Sequence, residues 1–255
     1  MTRRHRLLGV YARIGRTYRA WARHLLGLAI LVFVPLGFVD ALLEQVDTSA
    51  LDVTDSFKVA ALLAAVAAIT ASSLFGEVFF SGAIAASLTH PEDEESPGFG
   101  HLARHISYGK LIVVDILFVA MLALGTVALV VPGILVFVYL SLAGPVVELE
   151  KQGIWDGFKR SFGLVRGHSW MAAGVLIPVE IIGDAINEAL VDGAHSLLGH
   201  GLLASWLGEA VGNIATAPFV SVAIVLLTLD LIHHRDGNAP KLKPRPEAIP
   251  TPEAA

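Results

Sequence analysis

The sequence predicts an all-α polytopic membrane protein with six transmembrane helices plus two interfacial amphipathic helices. Apolar residues fill 55% of the 255 positions, charged residues only 16%, and the mean hydropathy is +0.67, whereas about a quarter of a soluble globular domain is charged. Six apolar runs, at 24–46, 57–89, 110–131, 133–149, 169–191 and 202–232, are long enough to cross a hydrocarbon core, which takes roughly 20 residues of helix. Threading these runs back and forth puts seventeen of the eighteen Lys and Arg on one side. That bias marks the cytoplasmic face.

The elements follow in order. Seven Arg precede the first run (Arg3, Arg4, Arg6, Arg13, Arg16, Arg19 and Arg23), which sets the N-terminus in the cytoplasm. In this 1–23 lead-in, Leu7, Tyr11, Ile14, Tyr18 and Trp21 recur at helical spacing opposite most of the Arg. Such a helix lies in the headgroup plane, with Arg13, Arg16, Arg19 and Arg23 on anionic lipid phosphates at about 1 kcal/mol each. A plainer reading makes these residues topology anchors and nothing more. A cleaved signal does not fit, because Asp40, Glu44 and Gln45 follow the run instead of a small-residue cleavage site. The 47–56 loop carries Asp47, Asp52 and Asp55 without a basic residue and is placed outside, with Lys58 the one exception to the charge bias.

In the second run Ala60, Ala64, Ala68, Ser72 and Gly76 recur every four residues, a ridge of small side chains that allows close helix approach where lipid supplies no hydrophobic drive. This predicts the centre of the bundle. The run is too long for one straight span, so it tilts, bends near Ser81-Gly82 or projects. After the acidic 90–100 loop, Pro132-Gly133 predicts a tight hairpin between the third and fourth spans. Pro35, Pro145, Pro178 and Pro218 predict kinks. Over 151–167, Ile154, Trp155, Phe158, Phe162 and Val165 form an apolar stripe opposite Asp156, Lys159 and Arg166, a second surface-lying helix. The 192–201 loop, without Lys or Arg, falls outside. Residues 1–235 thus make a single domain, and 236–255 a Pro-rich flexible cytoplasmic tail.

Acids inside spans are the candidates for function, since each is costly unless paired or hydrated. Glu180, Asp184 and Glu188 lie four apart on one face of the fifth span, and Glu209 and Asn213 share a face of the sixth. No Lys or Arg in either span neutralises them. Three readings stay open: an outer-interface location with only Glu180 buried, a polar cavity on a solute or proton path, or a divalent-cation site completed by His195 or His200. Glu77 and Asp115 read as isolated, hydrogen-bonded packing acids. The chain has no Cys, and it lacks H-E-x-x-H, G-x-S-x-G and P-loop motifs. Gly183-Asp184 lacks the preceding glycine of an intramembrane aspartyl protease signature. No enzyme activity, cofactor, metal centre or nucleic-acid partner is expected.

The 132–170 block contains Pro132-Gly133, Ala143-Gly144-Pro145, Glu150, Gly157, Arg160-Ser161, Leu164, Gly167 and Trp170. Tyr18-Arg19 precedes it and Thr228-Leu229-Asp230-Leu231 follows. With these residues the chain resembles the membrane domain of the glycerophosphoryl diester phosphodiesterase type, found in some bacterial enzymes of that name and in stand-alone membrane proteins. Members usually carry a Tyr shortly before that Asp and an Arg two residues after it, where this chain has Leu and Ile232, with Arg235 displaced. The resemblance implies a multi-pass protein of the bacterial cytoplasmic membrane; no phosphodiesterase domain lies in these residues.

Glu150 and Asp230 end the fourth and sixth spans, so Arg160 is expected to pair with one of them and pin the amphipathic helix, Ser161 or Gly167 permitting close contact. The function expected is an accessory or scaffold component that engages membrane phospholipids, a membrane protein partner or a second copy of itself. The rival is a small-solute or ion transporter using Glu180, Asp184, Glu188, Glu209 and Asn213.

Overall fold

The computed structural model describes residues 3–44, 76–89, 106–237 and 240. Its elements are α1 (Arg3–Glu44), α2 (Glu77–Thr89), α3 (Tyr108–Ala128), α4 (Val130–Leu140), α5 (Ala143–Leu149), α6 (Ile154–Val165), α7 (Ser169–Leu198) and α8 (Leu202–Asp236). Among the described residues five segments are long and apolar enough to cross a membrane: Gly9–Phe38, Tyr108–Ala128, Val130–Leu149, Ser169–Leu198 and Leu202–Asp236. Of the second predicted span only the shorter apolar helix α2 is described; Ala60, Ala64, Ala68 and Ser72 lie outside the described residues.

The basic lead-in is not a separate surface helix. It runs unbroken into the first span as the 42-residue α1. Nothing between Arg19 and Leu25 stops a helix, and the apolar period continues through it, with Ile14, Leu25, Ala29 and Phe33 all buried. That one stripe packs on protein: the Tyr11 hydroxyl donates to the Gly174 carbonyl at 2.7 Å, and Tyr18 sits edge-on to Phe219, ring centres 6.3 Å apart.

Helix α8 takes the central position among the described residues, buried along nearly all of its length from Thr216 to Ile232. It runs antiparallel to α1, where the Trp206 indole donates to the Val34 carbonyl at 2.9 Å. It is also antiparallel to α7, where Gly183 faces Val220, Gly212 meets Asn187 and Gly208 lies against Val191. Small residues at these crossings let backbones approach, and the packing itself then holds the helices together.

Two breaks fall elsewhere than the prolines suggested. The hairpin turns at Leu129, whose backbone is extended and whose N–H closes α3 on the Gly125 carbonyl at 3.1 Å. Pro132 sits in the first turn of α4, where its missing N–H costs no helical bond, and Gly133 packs on Thr126. The fourth span is itself interrupted at Ser141-Leu142, and Pro145 starts α5 in the same manner. Helix α2 begins just after Gly76, which has φ +91°; Ser81-Gly82, the expected bend, lies inside it. Gly82 is needed there for contact: a Cβ would fall 2.5 Å from Leu111 and 3.1 Å from the Gly144 carbonyl, while a Cβ on Gly144 would collide with the Val78 carbonyl.

Candidate functional site

Polar groups gather in two places, at the basic end of the bundle and among the apolar helices. At the basic end α6 is amphipathic, but its inner face is displaced from the predicted stripe: Gly157, Phe158, Ser161, Leu164 and Val165 are buried, whereas Trp155 and Phe162 face outward. The reason is close approach. A side chain at Gly157 would strike Val147, and the Ser161 hydroxyl donates to the Tyr139 carbonyl at 2.7 Å. Gly167 makes no close contact; its φ of +95° serves the turn between α6 and α7.

Arg160 meets Glu150 through two nitrogens, with Nε at 3.0–3.1 Å and Nη2 at 2.8 Å. It also pairs with Asp236 at the end of α8. The Glu150 carboxylate beside it pushes the guanidinium pKa further up, with Asp236 adding to the effect and burial opposing it. Asp230, the other partner considered, pairs with Arg13 of α1 instead. Arg13 is therefore engaged with protein, while Arg16, Arg19 and Arg23 are exposed. These ion pairs join α1, α6, α8 and the end of α5. Glu148 adds a further tie that the sequence reading overlooked: 2% exposed, it accepts the Ser107 N–H at 2.8 Å and Lys151 Nζ at 2.9 Å. Its signal was available, since an acid inside an apolar run calls for donors.

The acids of the apolar helices meet different surroundings, and the five candidate residues are spread along α7 and α8. Asp115 accepts from the backbone N–H groups of Gly76, Val78 and Phe79, at 2.6, 3.1 and 3.4 Å. It thereby satisfies the start of α2, whose first-turn donors have no partner in their own helix. Glu180 faces Glu77 of α2, with Asp184 close enough to act on Glu77 electrostatically. The Oε2 atom of Glu180 is shielded and has no hydrogen-bond partner. Asp184 and Glu188 are exposed. Toward the far end, Glu209 Oε2 lies 3.5 Å from the amide nitrogens of both Asn187 and Asn213. His195 lies 3.1 Å from the Ser205 hydroxyl, with the His200 ring 5.0 Å away. Among the described residues no three His, Asp or Glu side chains converge to hold a metal ion.

Long apolar helices, small-residue crossings and polar groups confined to ends and interior define a multi-pass helical membrane protein. No protein-family model matches the chain, and no curated protein or solved structure matches it either.

Proposed function

We propose that this chain is an accessory or scaffold component of the bacterial cytoplasmic membrane, similar to the glycerophosphoryl diester phosphodiesterase membrane domain and working without catalysis. In this reading it has six spans and cytoplasmic termini, and its basic end engages anionic phospholipids. The observation that supports it is the ion-paired basic end: Arg160 with Glu150 and Asp236, and Arg13 with Asp230, hold four helical segments as one platform. Arg16, Arg19, Arg23 and Arg166 stay exposed beside it. Unpaired Arg near a leaflet surface attracts anionic lipid. Lipid extracted with the protein from membranes of mixed phosphatidylglycerol and phosphatidylethanolamine should be enriched in phosphatidylglycerol relative to the bulk. Lipid of bulk composition would sink the reading. Tags placing the amino end and the 151–167 segment in opposite compartments would sink the orientation.

The second reading, ion or small-solute transport, draws on the Glu77 and Glu180 carboxyls that face each other with no Lys or Arg paired to them among the described residues. Like charges so placed repel, and a shared proton or a bound cation relieves them. Cation or proton flux into liposomes, abolished by Glu180→Gln together with Glu77→Gln, decides for it; flux that is absent in the unaltered protein removes it.

A further inference from the structure

The turn between α6 and α7 meets the end of α8, and the two carry four groups able to hold positive charge. Arg166 closes α6, His168 caps α7, and His234 and Arg235 lie in the last turn of α8. Gly163 has no side chain, so the Arg235 guanidinium lies across α6; a Cβ there would come within 2.8 Å of Arg235 Nη1. The rings of His168 and His234 stack, 5.9 Å apart with 22° between their planes. All four residues are exposed. Among the described residues the acids of this end are taken: Glu150 and Asp236 by Arg160, Asp230 by Arg13, Glu148 by Lys151 and Asp156 by Lys159. Among the described residues no carboxylate pairs with Arg166 or Arg235.

Two more features converge on the same spot. The first turn of the 30-residue α7 holds no acid and receives no side-chain cap, so its free N–H groups and partial positive charge add to the field. Phe162, 47% exposed, lies in the last turn of α6 and Trp170, 85% exposed, in the first turn of α7, and aromatic side chains of this kind settle at the level of headgroups.

We propose that Arg166, His168, His234 and Arg235 form a cradle for the phosphate of an anionic phospholipid, an inference that rests on the lipid-engaging reading above and locates it. Phosphate suits the site because guanidinium forks donate to its oxygens in pairs. A lipid suits it better than a free phosphate ion because the two helices that meet at this turn also expose Trp170 and Phe162, apolar surface that an acyl chain would cover.

Native mass spectrometry of the full chain, released from detergent in the presence of phosphatidylglycerol or phosphatidylcholine, tests this. The unaltered protein should retain phosphatidylglycerol in preference. At about 1 kcal/mol per basic residue, Arg166→Gln with Arg235→Gln should weaken that retention about thirty-fold, and either alone about fivefold. Gly163→Leu keeps every charge but lifts Arg235 off α6, and should weaken retention about fivefold by the same measure. Lys159→Gln, which removes a charge from α6 outside the cradle, should stay within about twofold. Preference undiminished in both the double variant and Gly163→Leu would overturn the cradle while leaving the lipid reading in place. No preference in the unaltered protein would overturn both. Displacement of phosphatidylglycerol by millimolar inorganic phosphate would overturn lipid as the ligand.

Discussion

Asp115 and Glu180 are both carboxylates set among apolar helices, yet their surroundings are opposite. Asp115 touches three backbone N–H groups at the start of α2, whereas Glu180 looks at another acid and leaves Oε2 without a partner. The first is architecture: it completes a helix terminus that begins inside the bundle, where water is not at hand to do so. The second has one acid as its partner and an oxygen left over. An acid in a membrane helix is thus no sign of function by its presence; what separates the two cases is whether donors converge on its oxygens.

Substitutions can break that contrast. Replacing Asp115 with Leu should have the largest effect, about 4 kcal/mol of lost stability, because it strips acceptors from buried N–H groups. Asp115→Asn, which keeps one carbonyl oxygen, should lose less. Thermal unfolding of the purified protein in detergent reads both. Gly144→Val sharpens the geometry around the same helix start: its side chain must push α5 off the Val78 carbonyl, a loss of about 3 kcal/mol by overpacking, seen in the same melt. Glu180→Gln should be the mildest, within about 1 kcal/mol of the parent and tending toward a gain, since it removes one of two facing like charges. A Glu180→Gln loss as large as that of Asp115→Leu would erase the distinction.

Much of the architecture could be read from the chain and particular contacts could not. The amphipathic 154–165 helix was legible because polar and apolar residues alternate with its own period. Its true inner face was not, because Gly157 and Ser161 look neutral in a hydropathy pattern and go inside only through the closeness of Val147 and Tyr139. Arg160 was recognised as a pairing residue and Glu150 as one partner, but Asp236 lay in a segment that reads as tail, and only the length of α8 brings it within reach. The lead-in and the first span read as two elements because charge changes abruptly between them. They form one helix because Tyr11, Ile14, Tyr18 and Leu25 stay on one face across that change.

Hydropathy and charge are local properties, summed along the chain before any fold exists, so the sequence by itself determined that this is a helical, multi-pass membrane protein and where most of its long helices lie. Which acid finds donors, which meets another acid and which Arg is left without a partner depend on how helices distant in sequence cross. Those crossings are decided at glycines such as Gly144, Gly157 and Gly163, where the absence of a side chain carries no directional signal until a neighbour fills the space. Only the tertiary structure supplies that neighbour.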